Sequence, residues 1–183
     1  IYNTILFKDV IQRKGITDKN VLERVTKYLF DNIGNRTSIK SISDNIEGIE
    51  KNSSYNTISN YVDALIDSYL IYKVNRYDIK GRKYISTPVK YYFCDIGIRN
   101  SIINFRQQEE THIMENIIYL ELRRRGYNVD IGNIEDKGKN EGKDYFKQLE
   151  VDFIANKGNN KYYIQSAYSL PDANKREQEI RPF

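Results

Sequence analysis

The 183-residue chain carries 29 Lys+Arg against 25 Asp+Glu, with a single His, a single Cys and no Trp. One Cys cannot make an internal disulfide or a cysteine-rich zinc site, and one His cannot supply a His-pair metal site. No apolar run approaches the ~18 residues of a membrane span and no signal-peptide pattern opens the chain, so a cytoplasmic protein is expected, its chemistry resting on carboxylates, lysines and a divalent cation.

The charge is unevenly placed. Residues 1–93 carry an excess of five positive charges and residues 94–183 an excess of one negative charge. At 39% hydrophobic the chain can bury a core, and its length suits one ordinary domain or two small ones.

Residues 1–14 read as a helix with Ile5, Leu6, Val10 and Ile11 on one face. A second helix starts at Thr17 as its cap, places Val21, Leu22, Val25 and Leu29 at helical spacing, and stops at Gly34. A short helix follows over residues 38–46. A longer one runs over residues 54–70, with Ile58, Tyr61, Val62, Leu65, Ile66 and Tyr69 as its apolar stripe. Two β-rich stretches, 71–77 and 83–86, are joined through Gly81, and a third, 90–94, follows Pro88.

Three helices followed by a hairpin is the order of a winged helix-turn-helix, whose third helix and hairpin can lie along a duplex. Lys73, Arg76, Lys80, Arg82 and Lys83 against Asp78 give the hairpin a net charge of +4, suited to phosphates. Asn56 and Asn60 add polar contacts on the third helix, although Asp63 and Asp67 near its end oppose them. DNA is therefore the expected partner. The competing reading is a protein-docking winged helix whose cations merely solvate the hairpin.

In the second half, residues 111–125 read as a helix burying Ile113, Ile117 and Leu120 and closing at Gly126. Strands are expected over 127–131, 149–155 and 161–168, with a turn at Gly158. Residues 136–147 read as a long loop or hairpin tip, and a helix follows over 171–180. Glu115 on the helix, Asp152 in one strand and Gln165 in the next stand out as polar residues inside apolar surroundings. His112 and Glu115 share a helix face but are more simply incidental. Arg123, Arg124 and Arg125 can grip phosphate or complement the helix dipole. Cys94 reads as buried and inert.

Helix with Glu, strand with Glu150-Val151-Asp152-Phe153-Ile154, and strand with Ile164-Gln165-Ser166-Ala167 resembles the core of the PD-(D/E)XK nuclease superfamily. More closely, residues 92–99, 114–127, 150–154 and 164–170 resemble the C-terminal domain of unknown function of archaeal and bacterial AAA-type ATPases, and the winged half fits the same family. The resemblance implies an α+β chain, a winged helix-turn-helix followed by a PD-(D/E)XK restriction-endonuclease-like α/β domain. It implies residues 1–16 as the end of a missing ATPase or lid region, 17–93 as the winged helix, and 94–183 as the nuclease-like domain, truncated at its C-terminus. ATP would bind in the missing N-terminal domain, itself the partner of this segment. No G-x-x-x-x-G-K-[ST] loop occurs here, so the segment alone is not expected to bind ATP.

Carried over by the resemblance, Glu115 and Asp152 would be Mg²⁺ ligands, and Gln165 would stand at the second acidic position, where it offers no negative charge. The lysine position falls on Ala167. Lys161 has the right strand parity but lies six residues away, roughly 20 Å along a strand. Lys175 on the following helix is the remaining amine. The expected function is thus a nucleic-acid-binding or targeting module with an inactive nuclease-like fold. The alternatives are a Mg²⁺-dependent DNA endonuclease and a protein-interaction module.

Overall fold

The computed structural model of the protein describes residues 10–11, 15–47, 55–106, 109–140, 143–169 and 173–182. Most of the helix expected over residues 1–14 lies outside them. The chain is mixed α+β and forms two compact units: Ile1–Lys73 with Lys90–Glu109, and Val74–Val89 with Glu110–Phe183. The boundary therefore runs through the hairpin, not behind residue 93. Among the described residues, no helix is long and apolar enough to cross a membrane.

In the first unit, α1 (Lys19–Asp31), α2 (Ile39–Glu47) and α3 (Tyr55–Asp67) pack on one another. Asp18, not Thr17, caps α1: its Oδ1 accepts the Val21 N–H at 3.1 Å, satisfying a donor that the first turn leaves open. Ser38 and Ser41 cap α2 reciprocally, each hydroxyl accepting the other's backbone N–H at 3.0 Å. Leu22, Val25 and Leu29 of α1, Ile42 and Ile46 of α2, and Ile58, Val62 and Leu65 of α3 are buried. The expected stripe ends early, because Tyr69 lies beyond the helix at φ 58° and is 73% exposed.

The inner parts of β1 (Ile71–Asp78) and β2 (Lys83–Phe93) complete this core. Sequence suggested two stretches around Pro88; the structure runs one strand through a cis Thr87–Pro88 peptide. Phe93 meets Phe30 edge-on, with ring centroids 4.1 Å apart, and Tyr92 is fully buried. Next comes α4 (Ile96–Ile102), which the sequence reading missed. Its Arg99 is 1% exposed and donates Nε–H to the Phe30 carbonyl at 3.0 Å, stitching α4 to the end of α1. Cys94, expected to be buried, is half-buried.

The second unit is built on a five-stranded sheet of order β2-β1-β3-β4-β5, with β3 (Asn128–Asn140), β4 (Lys143–Lys157) and β5 (Asn160–Ile164). β1 pairs parallel with β3, while β3–β4 and β4–β5 are antiparallel. Of the two readings of residues 136–147, the hairpin tip holds and the long loop does not: the segment is the paired end of the β3–β4 hairpin. The helix α5 (Glu110–Arg124) lies on one face of the sheet, where Tyr119 packs against Phe153 at 6.3 Å between centroids. The unit also contains α6 (Ala173–Ile180). Gly132 sits where β1, β3 and β4 crowd together: a Cβ there would stand 2.7 Å from Val151 Cβ and 3.1 Å from Ile79 Cδ1.

Two outcomes are expected. Gly132→Ala forces Val151 to move and costs about 1–3 kcal/mol, measurable by urea denaturation. Burial, then the negative charge of Asp63, push the Tyr91 phenol up to about 12. Because the folded state holds this proton more tightly than the unfolded chain, the resulting stability is complete below about pH 10 and is lost as pH rises towards about 12. Tyr91→Phe should flatten that alkaline decline in a pH series of melting curves.

Candidate functional site

The register of β3 against β4 contains one slip. Asp130 pairs with Ile154 and Gly132 with Val151, so two residues of β4, Asp152 and Phe153, stand opposite Ile131. Such a bulge turns two successive side chains towards one side of the sheet. Here it brings Asp152 to the helix-covered face beside Phe153, and both are buried, at 8% and 0% exposure. One turn before Tyr119 on the same face of α5 is Glu115, also buried, with Asn116 beside it. The apolar face expected for this helix is not the buried one: Ile117 is 54% exposed, and Ile113 and Leu120 are only half-buried.

The structure thus places Glu115 and Asp152 on facing surfaces of α5 and the sheet. Gln165 joins them through the edge strand, accepting the Asp152 N–H on its Oε1 at 3.3 Å. The Asp152 carboxylate itself has protein donors. Its Oδ2 accepts the Ser166 N–H at 2.7 Å and the Ser166 hydroxyl at 2.6 Å. Ser166 was missed by sequence reasoning, although its position next to Gln165 places it within reach of the opposite strand.

More polar side chains share this face than the sequence reading assembled. Arg76 pairs with Ile131 across the parallel β1–β3 ladder, and Asp78 pairs with Asn133. Asn133 in turn pairs with Glu150. Arg76 Nη2 donates to Asn133 Oδ1 at 2.5 Å, and Arg76, Asp78 and Asn133 are at most 8% exposed. Arg76 is therefore no phosphate contact. The alternation Val74–Arg76–Asp78 turns it inward with Val74, whereas Lys73 and Asn75 point outward.

These residues do not fit the Mg²⁺ site that the nuclease resemblance implies. Gln165 is neutral, Ala167 brings no amine, and one oxygen of Asp152 already accepts two hydrogen bonds from Ser166. Among the described residues, no group of three or more His, Cys, Asp and Glu side chains could hold a metal ion, and His112 with Glu115 forms no such group. Lys161 is exposed and paired with Asn156, far along β5. Lys175 falls on α6, but its side chain lies outside the described part.

The remaining basic candidates divide. Lys80, Arg82 and Lys83 are exposed at the β1–β2 turn, Arg82 with a left-handed backbone at φ 51°. Lys80 Nζ lies 3.4 Å from the Glu135 carbonyl and lines a cavity of ≈ 500 Å³ with Asp136, Tyr163 and Arg181. Lys73, Asn56 and Asn60, in the first unit, are also exposed. The arginine run is occupied locally: Arg124 and Arg125 both donate to Glu121 at 2.7 Å, holding its carboxyl down at about 2, and Arg123 donates to the Tyr127 carbonyl at 3.2 Å.

A family described as a domain of unknown function (DUF8612) matches residues 1–109. An uncharacterized protein of Haemophilus influenzae is 34% identical over 172 residues, a match covering 94% of this chain and 40% of that protein. Uncharacterized protein MJ1544 of Methanocaldococcus jannaschii is 33% identical over 179 residues, covering 98% of this chain and 37% of its own length. The chain thus spans about two fifths of these curated relatives. No solved structure matches it. With more than half of its length matched, the chain belongs to the DUF8612 family of domains of unknown function.

Proposed function

We propose that this chain is the nucleic-acid-binding and targeting segment of a longer, cytoplasmic AAA-type ATP-binding protein, built from a winged helix and a nuclease-like domain without cleavage activity. The observation that carries the binding role is the exposed trio Lys80, Arg82 and Lys83 at one hairpin turn. Cations gathered on an exposed turn can displace counterions from a phosphate backbone, which makes affinity salt-dependent. The relatives' greater length leaves room for an ATPase domain beyond this segment.

The absence of cleavage is supported by the chemistry around Asp152. Phosphodiester hydrolysis in this superfamily needs a divalent cation to bind water and to neutralise developing charge. Asp152 instead serves Ser166, and Gln165 extends the ladder at the bulge. Both are structural tasks. They join β4 to the segment following β5.

Two measurements test this reading. In a salt series on duplex DNA, binding should weaken steeply with ionic strength, and the double variant Arg82→Ala, Lys83→Ala should reduce the log–log slope by about 1.8. No binding at low salt overturns the DNA role, in favour of protein docking through exposed aromatics such as Tyr55 and Tyr69. With Mg²⁺ or Mn²⁺, plasmid and branched DNA should remain uncut. Cleavage that disappears in Asp152→Ala would establish the endonuclease reading instead.

A further inference from the structure

We propose that α5 is a dimer seam: its outward stripe packs antiparallel against the same stripe of a second copy of this chain, about a two-fold axis at Ile117. The inference concerns α5 and not the hairpin turn, and so goes beyond the nucleic-acid reading.

Helix geometry fixes the stripe. Glu115, Asn116 and Tyr119 are buried, so the residues on the opposite side of the helix face outward. Glu110, Ile113, Ile117, Leu120 and Arg124 follow one another at steps of three and four, which sets them in one line along that outer side. Glu110, Ile117 and Arg124 are exposed, whereas Ile113, Met114 and Leu120 are half-buried. This is the apolar stripe that periodicity predicts, yet the sheet is not its partner. Apolar surface also continues sideways from Ile117 into a trough of ≈ 450 Å³, lined by Ile118, Leu122, Tyr127, Tyr162 and Ile164. Contiguous apolar surface of this kind marks a contact with another macromolecule.

The charges identify that partner. Ile117 lies two turns from either end of the stripe, seven residues from Glu110 and seven from Arg124. Reversing the helix about Ile117 therefore sets Glu110 of each copy against Arg124 of the other, and Met114 against Leu120. Acidic end meets basic end and apolar centre meets apolar centre, so the stripe is complementary to itself. A parallel pairing would set like charges together. Both charged groups already have local partners, since Glu110 accepts the Tyr168 hydroxyl and Arg124 donates to Glu121. Each keeps capacity for a second: the Arg124 side chain is 73% exposed, a guanidinium has five donors, and a carboxylate has two acceptor oxygens. Opposed helix dipoles favour the same direction. An axis crossing α5 at right angles also brings the two troughs together, which widens the contact beyond the ~10 Å breadth of one helix. Nucleic acid does not suit this face, because the apolar side chains at its centre offer phosphate no donor.

The test is sedimentation equilibrium of the 183-residue chain with no nucleic acid present. The wild type should be dimeric at about 100 µM, and Ile117→Glu, which puts a charge at the centre of the interface, should weaken association at least about 30-fold. Ile117 is 54% exposed in the single chain, so this variant should melt within about 2 °C of the dilute, monomeric wild type. Glu110→Lys or Arg124→Glu alone should each weaken the dimer about fivefold. The two changes in one chain should restore it, since each then meets the other across the axis. In a Cys94→Ser background, which removes the native thiol, Ile117→Cys should form a covalent dimer on mild oxidation. A monomeric wild type would give the face to a different partner and overturn the proposal. Association unchanged in Ile117→Glu, a charge exchange that fails to restore the dimer, or no covalent dimer from Ile117→Cys would overturn it equally.

Discussion

One extra residue in β4 shapes the interior of the second unit. Had β3 and β4 kept strict register, Asp152 would alternate away from Phe153, towards the face opposite α5. The slip between Asp130–Ile154 and Gly132–Val151 puts both residues opposite Ile131 and under the helix. The consequence is a face that combines an aromatic contact, Tyr119 on Phe153, with buried carboxylates and amides. A bulge costs ladder hydrogen bonds, and this one recovers one of them through the Gln165 side chain.

The outer part of the β1–β2 hairpin belongs to the same unit as that face. It supplies β1 as the parallel neighbour of β3, and this placement brings Arg76 in at the edge of the face. A basic hairpin read from sequence as one strip is thereby split by strand alternation. Arg76 turns inward to Asn133, while Arg82 and Lys83 remain exposed at the turn. The same eight residues, 76–83, thus contribute both a buried hydrogen bond and an outward-facing cationic patch, because Arg76 lies on the inward-facing side of a strand and Arg82 at its turn.

Glu121 illustrates the opposite use of arginine. Its carboxylate, on the exposed side of α5, collects bonds from Arg124 and Arg125 one turn away. Such exposed pairs contribute little to stability, being screened by water and salt. They do satisfy two of the three consecutive arginines locally, which weakens the case for that run as a phosphate grip.

Much of the architecture follows from local rules and is legible in the chain. The apolar spacing in α1 and α3, the turn at Gly81 and the stop at Gly126 depend on neighbours a few residues apart, so periodicity and backbone preference suffice to place them. Glu115, Asp152 and Gln165 also stand out as polar positions among apolar ones. Pro88 misled, because a proline that breaks a local pattern can still lie within a paired strand. What the sequence alone could not decide is which face of α5 is buried, where the bulge falls, and which partner the hairpin arginine Arg76 meets. Those depend on pairings between residues 57 positions apart, as for Arg76 and Asn133, and on a one-residue register shift that reverses the direction of a side chain. The near-balance of charge belongs to the composition, but its division into a buried network and an exposed turn is a property of the folded sheet.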